Sequence, residues 1–258
     1  MSDLLQALGI DGGIVCAVGA GGKKTTLYRI AEAWEGSYAL TATVFTTPPP
    51  RRLWDRRILE TGGDLRRAVA AAGDVRRLAY AAPSDKPGRV GGVPADMIAT
   101  LHREARRELT LVKADGARMR GIKAPREGEP VIPPGTDVVL HIVSAGVLGQ
   151  PLDERAAHRL EELSAITGLA PGEPIEAAHL ARLIASPQGA CRGVDGARLV
   201  SVINQVDDEA HLTEARRAAR AALEASDLER VVLTAMRAER PVVEIVRHDR
   251  ARQTDAGA

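Results

Sequence analysis

Short β-rich apolar runs alternate along this chain with segments of helical period. Residues 14–18, 38–45, 77–81, 109–114, 138–143, 199–203, 231–234 and 242–246 read as strands. Residues 24–34, 94–107, 154–167, 174–185 and 209–225 read as helices, with Pro94 and Pro174 suited to a first helical turn, where a missing N–H costs nothing. This alternation predicts an α/β fold, a mainly parallel sheet with helices on both faces. Three loops stand out, at 46–52, 118–136 and 144–152. The middle one is rich in Pro and Gly and long enough to be expected to carry function. One domain is expected over residues 1–249, followed by a flexible polar tail at 250–258.

The first strand runs into Val18-Gly-Ala-Gly-Gly-Lys-Lys-Thr-Thr-Leu27. Gly19, Gly21 and Gly22 lack Cβ atoms, so with Ala20 they can turn backbone N–H groups around an anion. The following helix points free N–H groups and its positive dipole end at the same place. This predicts a P-loop NTPase-like fold holding a nucleoside triphosphate. The doubled lysine leaves two registers open. If Lys24-Thr25 supplies the lysine and hydroxyl, Lys23 stands where a glycine is usual; if Gly22-Lys23 does, Lys24 takes the hydroxyl position. The Lys24 register is favoured, because it leaves Thr25 for Mg²⁺ and Thr26 behind it.

Further candidates lie at the predicted strand ends. Asp115, after 109–114, stands where such proteins reach the metal, although Asp115-Gly116 is also an ordinary turn pair. Thr43 is a candidate second metal ligand, against the alternative that threonine simply favours strands. Arg118 and Lys123 are candidates for stabilising phosphate charge, or are part of a solvated basic loop. Asn204-Gln-Val-Asp207 resembles the N-K-x-D turn that reads guanine in GTPases, with Gln205 in place of the lysine; helix capping by Asp207 or Asp208 is the alternative. GTP and ATP both remain open.

Composition narrows the partners. With 258 residues, a net charge of +1 and only two Trp, three Tyr and one Phe, neither a strong basic field nor a base-stacking surface points to nucleic acid. The paired arginines, Arg106-Arg107 among them, read as solvated helix faces. Two cysteines, Cys16 in a strand and Cys191 in a loop, build no disulfide framework. There is no basic leader and no membrane-length apolar run, so a cytoplasmic, membrane-free protein is expected.

The chain resembles the YqeC-type accessory proteins of selenium-dependent molybdenum hydroxylases. The resemblance runs through the glycine-rich segment, residues 41–50, Ala114-Asp-Gly-Ala117, the stretch from Ile122-Lys-Ala-Pro to Asp137, Leu148-Gly-Gln-Pro-Leu152 with His158-Arg159, residues 189–194, and Ile203-Asn-Gln-Val-Asp207. It covers about residues 10–235, and Lys113 stands where the family commonly has an acidic residue. The resemblance implies a nucleotide-binding protein that helps mature a selenium-containing molybdenum hydroxylase or its cofactor. The leading expectation is an Mg²⁺-dependent NTPase. A small-molecule kinase whose 118–136 loop binds the acceptor, and a nucleotide-gated scaffold or chaperone, are the alternatives.

Overall fold

A computed structural model describes residues 2–248; the expected tail at 250–258 lies outside the described residues. The chain forms α1 (Asp3–Leu8), β1 (Gly13–Gly19), α2 (Lys23–Ala33), β2 (Tyr38–Ala42), β3 (Arg56–Leu59), α3 (Gly62–Ala70), β4 (Arg77–Ala81), α4 (Ala95–Glu104) and β5 (Leu109–Lys113). It continues through β6 (Ile122–Lys123), β7 (Val138–Ser144), β8 (Ala157–His158), α5 (Leu160–Thr167), α6 (Ala177–Ala185), β9 (Arg198–Asn204), α7 (Glu209–Glu224), β10 (Arg230–Thr234) and β11 (Val242–Arg247).

Nine strands make one sheet in the order β11-β10-β9-β7-β1-β5-β2-β4-β3, and β6 pairs with β8 separately. Every pairing in the large sheet is parallel except that of β10 with β11. This is the mainly parallel α/β sheet that the sequence predicts, consistent with a P-loop NTPase-like arrangement. The central strands are apolar at consecutive positions because helices cover both faces. Val15 and Ala17 pack on one side with Leu27 and Ile30 of α2 and the leucines of α1. Ile14, Cys16 and Val18 pack on the other with Leu65 of α3 and Ile98 of α4. Further along that second face, α5, α6 and α7 share a third cluster with Val143, Ile203 and Leu233.

All eight expected strands form, although the second stops at Ala42 and leaves Phe45 57% exposed in a loop. Five elements go beyond the expectations: α1, β3, α3 and the short strands β6 and β8. Helix α1 is a single capped turn-and-a-half, its Leu5 N–H donating to the Ser2 hydroxyl. Strand β3 begins with two exposed arginines and buries only Ile58, so it has an edge strand's weak alternation. Helix α3 starts on Gly62-Gly63, poor helix formers that tertiary packing overrides. The predicted helix at 154–167 begins only at Leu160, because residues 157–158 pair with β6 and Arg159 takes a left-handed φ of 72°. Pro94 caps α4 from outside, and Pro174 pairs with Pro151 before α6 begins.

Arg107 is not a solvated helix residue. It is 5% exposed, and its guanidinium donates to Ala105 O at 2.6 Å, Ala72 O at 3.1 Å, Gly73 O at 2.6 Å and Val75 O. One side chain therefore satisfies carbonyls left over where α3 and α4 end. Arg107→Lys keeps the charge but lacks the planar fork. It is expected to lower unfolding free energy by about 2–4 kcal/mol, read as a shifted denaturant midpoint at unchanged slope; a variant as stable as the parent would contradict this role.

Candidate functional site

Strand β1 lies between β5 and β7. From β1 the chain goes out to β2 and the edge strand β3, returns through β4 and β5, and then builds outward on the other side through β7, β9, β10 and β11. Open α/β sheets bind ligands at such a reversal, beyond the carboxyl ends of the strands. The glycine loop, Asp115 and Ser144 all meet there.

The loop's glycines are fixed by backbone packing. Gly19 has φ 86° and Gly21 φ 80°; a Cβ would lie 2.3 Å from Ile142 O at the first and 2.5 Å from Ser144 N at the second. The N–H groups of this part of the loop are already used. Gly19 N donates to Asp115 Oδ2 at 2.9 Å, Ala20 N to Ile142 O at 2.7 Å, and Gly21 N to Arg120 O at 3.0 Å. Helix α2 makes its first backbone bond from Thr26 N to Gly22 O. Among the described residues, the N–H groups of Gly22, Lys23, Lys24 and Thr25 therefore have no protein acceptor, and they are the free donors of the loop.

The lysine lying across the glycine loop is Lys23, which corrects the favoured register. Its buried ammonium donates to Gly19 O and pairs with Asp115 Oδ1 at 2.9 Å. Lys24 turns the other way, is exposed, and donates to Thr47 Oγ1 at 2.6 Å. Helix geometry requires the split, because consecutive residues point about 100° apart and only one can face the sheet edge. Lys24 thus occupies the position where a P-loop carries its metal-binding hydroxyl.

Asp115 is also differently employed from a metal ligand. It is 2% exposed; besides Lys23 and Gly19, it pairs with Lys123 Nζ at 2.9 Å. Lys123 in turn pairs with Glu129 Oε2 at 2.6 Å, and Arg159 donates to Glu129 Oε1 at 2.8 Å. Burial alone would raise the Asp115 pKa, but Lys23 and Lys123 outweigh it and hold the carboxyl below its usual range. Lys113 donates to Asp115 O at 2.6 Å, and burial, followed by the charge of Lys23, pushes its ammonium down to about 8. The site therefore gathers ammonium groups around two carboxylates, Asp115 and Glu129, whose Oδ1 and Oε2 have charge partners but no aligned hydrogen bond.

Magnesium fits these residues poorly. Both Asp115 oxygens face ammonium groups, Thr43 Oγ1 donates to Val131 O at 2.8 Å, and Thr26 Oγ1 donates to Gly22 O at 3.2 Å. Of the expected ligands, only the Thr25 hydroxyl has no such commitment.

The remaining candidates separate. Asn204 clamps the loop: its Nδ2 donates to Gly21 O at 2.8 Å, while Oδ1 accepts from Thr234 Oγ1 and Met236 N, each at 3.1 Å. It is therefore not free to read a base, whereas Asp207 is exposed. Arg118 is exposed and lines a separate polar cavity of about 330 Å³ with Arg120 and His158. Lys123 is locked between two carboxylates rather than presented to a phosphate. Sequence reasoning missed Glu129 and Arg159 as charge partners, although both lie in the segments that carry the resemblance.

A family model described as YqeC protein matches residues 15–161. The chain belongs to the YqeC family. The match covers most of β1, the glycine loop, Asp115, the 118–136 loop and the Arg159 corner, so the charge network lies within the family's own segment. The chain is also 29% identical over 197 residues to "Uncharacterized protein YqeC" of Escherichia coli (strain K12), covering 74% of this chain and 75% of that one. No solved structure matches. Among the described residues, no helix is long and apolar enough to cross a membrane.

His141 of β7 is buried beside this network, with Ser201 Oγ 3.4 Å from its Nδ1. Burial pushes its pKa down to about 4, so it stays neutral in the fold while the unfolded chain takes up a proton below about 6.5. Its contribution is intact above that pH and is lost as pH falls from about 6.5 to 4, a loss on the order of 3 kcal/mol. The Asp115 carboxyl adds a further loss at still lower pH. Denaturation midpoints measured from pH 7 to 4 are expected to fall and to flatten in His141→Gln; an equally steep fall in that variant would remove His141 from the explanation.

Proposed function

We propose that this protein binds the phosphate chain of a nucleoside triphosphate, GTP or ATP, at the start of α2. The observation that carries the reading is the set of four unpaired N–H groups from Gly22 to Thr25, set among Lys23, Lys24 and Lys113. A helix start attracts phosphate, and ammonium groups offset the remaining charge. In this reading Lys24 and Lys113 supply the positive charge that a metal supplies in other phosphate sites, and no magnesium is held by the protein. Guanine preference rests on Asp207 alone, because Asn204 is committed to the loop.

The family resemblance supports a role in maturing a selenium-dependent molybdenum hydroxylase or its cofactor, with nucleotide state governing the step. Hydrolysis at this site is slow in the proposal. Asp115 and Glu129 are both paired with cations, which leaves no free carboxylate there to orient water. That same observation favours the nucleotide-gated scaffold over the small-molecule kinase as the second reading.

Thermal unfolding with GTP, ATP and their diphosphates, each with Mg²⁺ and with a chelator, tests the proposal. A specific ligand raises the midpoint by mass action. The expected result is stabilisation by a triphosphate that survives chelation. Lys24→Ala, an exposed change, is expected to fold normally and weaken binding about tenfold. A midpoint unmoved by every nucleotide would sink the reading; a strict Mg²⁺ requirement would overturn its metal-free part.

A further inference from the structure

A second hollow opens on the other side of Lys24, between α2 and the half of the sheet made by β2, β4 and β3. Small side chains create it. Leu40 is in register with Ala79, which is in register with Arg57, and Leu59 is in register with Ala81. Ala42, Ala79 and Ala81 leave room beneath α2 that larger side chains would fill, and Leu27 and Tyr28 form the opposite wall. Residues 46–49 cover the hollow, pinned where Thr46 exchanges two backbone hydrogen bonds with Val90, at 3.1 and 2.9 Å. The enclosed part of the space is only about 40 Å³, and the whole depression, counted out into open solvent, is about 480 Å³, so a ligand would sit partly in the mouth.

Its charged lining is Lys24, Arg57 and Lys113, with no carboxylate among the lining residues. Cations brought together without an anion repel one another. Burial and then Arg89 lower the Lys24 pKa, and Lys113 is depressed as described above. An anion seated among them would relieve both the repulsion and the poor solvation. The walls are otherwise mainly apolar, with Thr41, Thr46 and Thr47 and two tyrosines among them, as in sites that fix a hydrophobic body and orient it by a few polar groups.

We propose that this cleft binds a small organic anion with a flat apolar body, an aromatic carboxylate in the simplest case. Lys113 and Arg57 hold the charged group, and the body lies between Tyr28 and the alanine floor. The site goes beyond the nucleotide reading and stands without it. Because Lys24 and Lys113 line the cleft and also supply charge near the free helix start, the two ligands would be neighbours that share these lysines when both are bound.

The test uses the full chain without nucleotide and two probes of matched shape, benzoate and the neutral benzyl alcohol, followed by calorimetry and saturation-transfer NMR. Benzoate is expected to bind saturably and about tenfold more tightly than benzyl alcohol. Two exposed changes at the cleft's edge locate the binding. Arg57→Gln should weaken benzoate about three- to fivefold, and Leu59→Glu, which sets a carboxylate into the lining, should abolish it. Both variants should keep the parent's unfolding midpoint within a few degrees. No saturable benzoate binding, equal affinity for the two probes, or an affinity unchanged in either variant would overturn the proposal. Because no nucleotide is present, failure of this site and failure of the nucleotide reading give separate results.

Discussion

Asp115 carries a negative charge inside the protein, and the elements around the carboxyl edge are arranged to make that charge tolerable. Its two oxygens tie the end of β5 to the glycine loop through Gly19, to α2 through Lys23, and to β6 through Lys123. Glu129 and Arg159 extend the chain of opposite charges to the start of α5. A buried ion pair contributes little net stability, but losing one partner costs about 3–5 kcal/mol because the other charge is left uncompensated. The network therefore fixes positions more than it adds stability: each member holds the next where it is needed.

That constraint decides the site's chemistry. A carboxylate already satisfied by two ammonium groups is a weak partner for a divalent cation, while the surplus of lysines favours an anion. The doubled lysine has the same consequence. One residue faces inward and completes the buried network, and the next faces outward with its charge available at the helix start. The outward Lys24 also borders the apolar cleft under residues 46–49, so one side chain separates two places suited to negative charge.

The sheet was legible because its strands are apolar and bounded by Gly, Pro and polar residues, a pattern that needs no partner to be recognised. Helix α2 was legible from the glycines before it. Less legible were elements whose stability comes from elsewhere: β3, with two exposed arginines, and α3, which starts on two glycines. Arg107 is the plainest case. Its sequence neighbours suggest a solvated face, and only the meeting of four carbonyls in space turns it inward. Asn204 is similar, since its strand-end position was readable but its commitment to Gly21 was not.

By itself, the sequence determined the α/β class, the strand-to-helix glycine turn and the gathering of candidate residues at one sheet edge. These follow from local periodicity and from backbone freedom that only glycine has. Only the tertiary structure decided which lysine faces the loop, that Asp115 is paired with two cations, and that Lys123 belongs to a buried network rather than to a solvated loop. Those outcomes depend on distances between residues as far apart in sequence as Lys23 and Asp115. Charge pairing in a buried site is set by what lies within a few ångströms, which no local pattern encodes.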